Sequence, residues 1–108
     1  GSLEWTDQFL EPYTKRDILF RILNNLKAVY IQDREYTKAV GAIQRMSIIR
    51  PGLPSLYQEQ AWCHAEQQEY RLAIETLEAY LQEADSPDDS KGVKDQIRGL
   101  WFTLSRLN

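Results

Sequence analysis

The chain has one cysteine and one histidine, and they are neighbours, Cys63-His64. A thiol beside an imidazole is the pairing that nucleophilic catalysis uses, with the ring as base and the thiolate as attacking group. Adjacent residues on a helix point about 100° apart, so these two cannot readily pair with each other. No second histidine is present to relay a proton. Packing roles are expected for both, and no catalytic residue is assigned. Asp85, Asp88 and Asp89 form an acidic cluster. The stretch lacks the spaced ligands, glycine and closing glutamate of a calcium loop. SPDD at 86–89 reads instead as a helix start: Ser86 as N-cap, Pro87 in the first helical position, and two aspartates at the positive end of the helix dipole. Neither a metal nor a cofactor is expected.

The large aromatics carry more information. They are Trp62 and the adjacent pair Trp101-Phe102. A tryptophan with polar neighbours has the composition of an interaction hot spot. What Trp62 stands beside depends on the elements that carry it.

Those elements are helices. Thr14 and Asp17 frame a capping box, TKRD, after which Ile18, Ile22, Leu26 and Val29 recur at helical spacing to about Gln32. Asp33-Arg34 makes a short turn. A second helix carries Tyr36, Ala39, Val40, Ile43 and Met46 on one face, and PGLP at 51–54 ends it. A third helix is expected from about Ser55 to Gln67, and a fourth from about Tyr70 to Ala84, built on Ala73, Ile74, Leu77, Tyr80 and Leu81. The fifth carries Val93, Ile97, Leu100, Trp101, Leu104 and Leu107, and is weakened by Gly92 and Gly99. Period-2 alternation is missing, so the chain is all-α.

REYTKAVGAI (34–43) and QEYRLAIETL (68–77) repeat each other at a spacing of 34 residues: Glu35/Glu69, Tyr36/Tyr70, Ala39/Ala73, Val40/Ile74 and Ile43/Leu77. Helix–turn–helix units of 34 residues resemble tetratricopeptide repeats. In the first unit that pattern falls on Leu23, Leu26, Lys27, Tyr30, Ala39, Ile43 and Pro51. Lys27 departs where a small residue is expected. In the second unit it falls on Tyr57, Gln60, Ala61, His64, Ala73, Leu77 and Asp85, with Gln60 and His64 departing. One hairpin cannot bury its apolar face alone, and stacking makes the core continuous. The resemblance implies a right-handed superhelix of two antiparallel helix hairpins plus a C-terminal capping helix. The expected divisions are 1–13, a tag remnant (Gly1-Ser2) and N-terminal covering segment; 14–51, repeat one; 52–86, repeat two; and 87–108, the cap. Together they make one domain.

A narrower resemblance rests on Leu10-x-Pro12, Ile18-Leu19-x-Arg21-x-Leu23-x-Asn25-Leu26-Lys27, Tyr30, Tyr36 and Ala39. In these residues the chain is similar to the C-terminal, repeat-bearing region of bacterial transglutaminase-like proteins. That resemblance implies a module of a larger protein, downstream of a papain-like domain. It transfers no activity, because the Cys/His/Asp motif of that domain is not present.

In repeat register the first helix of each unit lines a concave groove. Its positions are Arg21, Asn24, Ala28 and Ile31 in unit one, and Ser55, Gln58, Trp62 and Ala65 in unit two. Arg21, Asn24, Ile31, Gln58 and Trp62 are the candidate contacts for a protein or peptide partner, including an upstream domain of the same chain. Trp62 packed beneath Trp5 or Phe9 is the competing reading. Lys15, Arg16, Arg21 and Lys27 would give the groove one basic wall, facing Glu59 and Glu66 on the third helix. Trp101-Phe102 offers a third reading, a weak homo-oligomer.

The bulk properties agree with an interaction module. The chain has 108 residues, 43% hydrophobic and 27% charged, enough for one modest core. A net charge of −3 and a pI near 5.1 disfavour a nucleic-acid partner. No run reaches the roughly 18 apolar residues that a membrane span needs. A single cysteine fits a reducing compartment, and a cytoplasmic location is expected.

Overall fold

The computed structural model describes residues 14–84 and 90–107. The covering segment at 1–13 and the helix start read at 86–89 lie outside the described residues. Within them the chain forms α1 (Lys15–Gln32), α2 (Tyr36–Ile49), α3 (Pro54–Glu66), α4 (Tyr70–Glu83) and α5 (Ser90–Leu107). No strand occurs among the described residues.

The capping box at the start of α1 forms as expected. The Asp17 N–H donates to Thr14 Oγ1 at 3.1 Å and the Thr14 N–H donates to Asp17 Oδ2 at 3.0 Å, satisfying two backbone donors that the helix leaves open. Arg50, just past α2, extends this cap into a tertiary tie. Its Nη2 lies 3.0 Å from Asp17 Oδ1 and its guanidinium stacks 4.2 Å from the Phe20 ring centroid. The Asp17 carboxyl is held below the usual carboxylate range, chiefly by the Thr14 backbone N–H and then by Arg50. α3 starts one residue earlier than its sequence suggests, with Pro54 itself in the first turn, where its missing N–H costs nothing.

Both hairpins turn in the same way. The Glu35 N–H bonds the Tyr30 carbonyl at 2.8 Å and the Arg34 N–H bonds that of Ile31 at 3.0 Å. In the second hairpin Glu69 bonds His64 and Gln68 bonds Ala65, each at 2.9 Å. This paired closure requires a left-handed residue after the helix. Arg34 (φ 59°) and Gln68 (φ 63°) fill that position with side chains present. Left-handed backbone costs such residues about 1–2 kcal/mol. Glycine relieves most of that, and gives back part through the freedom it adds to the unfolded chain. Arg34→Gly and Gln68→Gly are each expected to stabilise the protein by about 0.5–1 kcal/mol. The effect would be read as a higher urea midpoint at unchanged slope; an unchanged or lower midpoint would refute it.

Two core clusters follow the repeat. Leu23, Ala39, Val40, Ile43, Met46, Leu56 and Cys63 form the first; Ala61, Ala73, Leu77, Tyr80 and Val93 form the second. α3 contributes to both, Leu56 and Cys63 to the first and Ala61 to the second, so one helix links the two clusters. α5 packs on α4 and α3. Only the N-terminal part of α5 acts as a cap: Val93 is buried, and Ile97 and Leu100 pack on the second core. Beyond it Trp101, Phe102 and Leu107 are exposed, Phe102 by 62%.

Candidate partner-binding face

Helix α3 has three sides. Leu56 and Cys63 enter the first core, and Ala61, with the half-buried Tyr57 and Ala65, enters the second. The remaining side carries exposed Ser55, Trp62 and Glu66, with Glu59 half-buried among them. The Trp62 ring meets Tyr36 edge to face, with centroids 5.6 Å apart and planes at 80°. Tyr36 itself packs against the first core. The indole is therefore braced by the hairpin behind it while 42% of its residue surface stays open. The end of α3 is fixed nearby: Thr37 Oγ1 donates to Gln67 Oε1 at 3.0 Å, and Gln67 Nε2 donates to the Cys63 carbonyl at 3.3 Å.

The other candidates divide. Arg21 and Asn24 are exposed on α1, whereas Ile31 is half-buried and packs on the first core. Gln58 is half-buried at the seam with α5, where its carbonyl accepts from Gln96 Nε2 at 3.2 Å. It stands at the edge of the open face, because α5 leans on α3 as well as on α4. The basic wall expected along α1 is partly consumed within the molecule. Arg16 Nη2 donates to the Ile49 carbonyl at 2.9 Å, and the Lys27 ammonium lies 2.9 Å from each Glu59 carboxylate oxygen. Lys27 is 9% exposed and occupies the position where a small residue was expected. Its stem is long enough to carry the charge out of the hairpin and across to α3. The sequence shows the departure but not its partner, which lies on another helix.

Cys63 is fully buried in the first core, and burial followed by the Glu59 charge pushes its thiol up to about 11. Such a thiol is protonated at neutral pH and packs as a small apolar group. Tyr57 donates to Glu83 Oε2 at 2.7 Å, and that bond pushes its phenol up to about 12. This link between α3 and α4 has no sequence signal beyond two polar groups on facing helices.

His64 occupies the position of Tyr30 in the first unit, and it is buried. Gln60 Nε2 lies 3.3 Å from His64 Nε2, while Nδ1 is buried with no hydrogen-bond partner among the described residues. Burial lowers the His64 pKa, opposed by the Glu69 charge. The folded state thus favours the neutral ring, so stability is fully present above the unfolded value near 6.5 and is lost as pH falls through it. His64 is the single histidine of the chain. The melting temperature is expected to fall between about pH 7 and pH 5, with that slope flattened by His64→Tyr. An equal slope in both proteins would disprove the assignment.

A family model described as tetratricopeptide repeat matches residues 26–98, more than half of the chain. The chain belongs to the tetratricopeptide repeat family. No curated protein and no solved structure shows a significant match to it. The tetratricopeptide register explains why Ala39, Ala61 and Ala73 are all without exposed surface, since these small residues let paired helices approach. It also identifies Lys27 and His64 as the two buried polar departures, one paired across helices and one left with an open ring nitrogen. Tetratricopeptide repeats are generally non-catalytic modules that mediate protein–protein contacts. Among the described residues no helix is long and apolar enough to cross a membrane, and no cluster of three His, Cys, Asp or Glu residues forms a metal site.

Proposed function

We propose that the chain is a protein-interaction module whose contact face is centred on Trp62, with Arg21, Asn24, Ile31 and Gln58 around it. The observation that carries this reading is the bracing of Trp62: an indole held against Tyr36 at 5.6 Å yet 42% open to solvent. Ordering a rigid aromatic costs little on binding, and burying it stabilises a complex well. Glu66 beside it and Arg21 and Asn24 on α1 supply a polar rim, so a peptide or domain presenting an apolar group within a polar surround fits this face.

The similarity to the C-terminal region of bacterial transglutaminase-like proteins favours an upstream domain of a longer chain as the partner. In that version the module stabilises or gates the domain it follows. The test is titration of the module with the separately expressed upstream domain. Trp62→Ala is expected to weaken binding at least tenfold, at a cost of no more than about 1.5 kcal/mol in module stability for the lost ring contact. Ile48→Ser, on an exposed site of α2, serves as control. Unchanged binding by a folded Trp62→Ala protein would sink the assignment.

A further inference from the structure

Helix α1 has a second apolar side that neither α2 nor α3 covers. Ile18, Leu19, Ile22, Leu26 and Val29 are each 40% to 50% exposed. At about 100° per residue they share one arc of the helix, while Arg21, Asn24 and Ala28 occupy an arc on its other side. The stripe continues into an open groove of about 460 Å³ between α1 and α2. Leu23, Leu26, Tyr30, Gly41 and Ala42 line its floor, and Thr37, Lys38 and Arg45 its edge. The floor is kept low by small residues: a Cβ on Gly41 would meet Arg45 Nη1 at 3.1 Å. An apolar trough with a cationic edge accepts an acidic segment that presents large apolar side chains.

The chain itself carries such a segment immediately before α1. Residues 3–13, LEWTDQFLEPY, hold Trp5, Phe9 and Leu10 together with Glu4, Asp7 and Glu11, and no basic residue. Leu26 lies about 18 Å along α1 from Thr14. The stretch from Trp5 to Thr14 can span up to about 30 Å, so its length is sufficient for Trp5 to reach the groove. We propose that residues 3–13 of the same chain occupy the Ile18–Val29 stripe and the adjoining α1–α2 groove, with Trp5 and Phe9 as anchors and Lys38 and Arg45 facing the acidic side chains. The segment thereby covers the end of the repeat stack, the place a preceding hairpin would fill. This surface is separate from the Trp62 face, and its test requires no partner, so either proposal can fail without the other.

The experiment uses residues 1–108 carrying Trp62→Phe and Trp101→Phe, which leaves Trp5 as the sole indole. Acrylamide quenching of Trp5 is expected to be several-fold slower than in a synthetic peptide of residues 3–13. The protection is expected to disappear in Lys38→Glu/Arg45→Glu and in Ile22→Glu/Leu26→Glu, with helical circular dichroism confirming that each variant folds. Phe9→Ser alters only the segment, and is expected to release Trp5 even where a groove variant fails to fold. Quenching as fast as in the peptide would overturn the proposal. So would protection that survives the groove changes and Phe9→Ser. Protection that vanishes on dilution, with a dimer mass by light scattering, would place the segment on a second copy and overturn it equally.

Discussion

Leu77→Ala is expected to destabilise the protein by about 3 kcal/mol, and Ile43→Ala by a similar amount. The two residues are repeat equivalents, and neither has any exposed surface. Each is fully buried in its own cluster, where removing a branched side chain loses transfer free energy and leaves a cavity that the helices only partly close. For a domain of this size each kcal/mol shifts the melting temperature by about 4–8 °C, so either change should lower it by more than about 10 °C. The two variants also report on coupling. Because α3 contributes to both clusters, either change should lower one shared cooperative transition. Two resolved transitions in the calorimetric trace, with only one displaced by each variant, would show that the hairpins unfold independently.

The second large effect is expected at the bridge between the hairpins. Glu59→Leu leaves the Lys27 ammonium, 9% exposed, without its counter-charge. Stranding one member of a fully buried pair costs about 3–5 kcal/mol. The Glu59 side chain is 37% exposed, so water screens part of the interaction, and about 1–3 kcal/mol is expected. Lys27→Met/Glu59→Leu removes both charges and keeps the bulk, and is expected to recover to within about 1 kcal/mol of the natural protein. Urea unfolding of the two single variants and the double completes the cycle. A harmless Glu59→Leu, or a double variant worse than the sum of the singles, would refute a charge pair as the link between α1 and α3.

These predictions rest on features that differ in how far the sequence exposes them. Ile43 and Leu77 were legible because the repeat places them, with Ala39 and Ala73, on the apolar side of a helix whose ends are marked by its own turn residues. The capping box at Thr14–Asp17 was legible for the same local reason. The left-handed positions were half legible: Asp33-Arg34 reads as a turn, but neither Arg34 nor Gln68 is a residue type that announces positive φ. Lys27 could be seen to break the repeat pattern, yet nothing near it in sequence names Glu59. Gln58 falls on a groove position by register and was expected in the open; the lean of α5 onto α3 brought Gln96 over its carbonyl instead.

The sequence alone determined the helices, their hairpin turns, the repeat of 34 residues and the family to which the chain belongs. All of these depend on interactions within a few residues along the chain, or on a periodicity that those interactions impose. The tertiary structure alone decided that Trp62 is braced on Tyr36, that Lys27 reaches Glu59, that Gln58 meets α5, and that α1 keeps an uncovered apolar side. Each of these joins or leaves apart elements distant in the chain. Helical periodicity says which residues share a side of one helix, and only the packing of helix on helix says what that side meets.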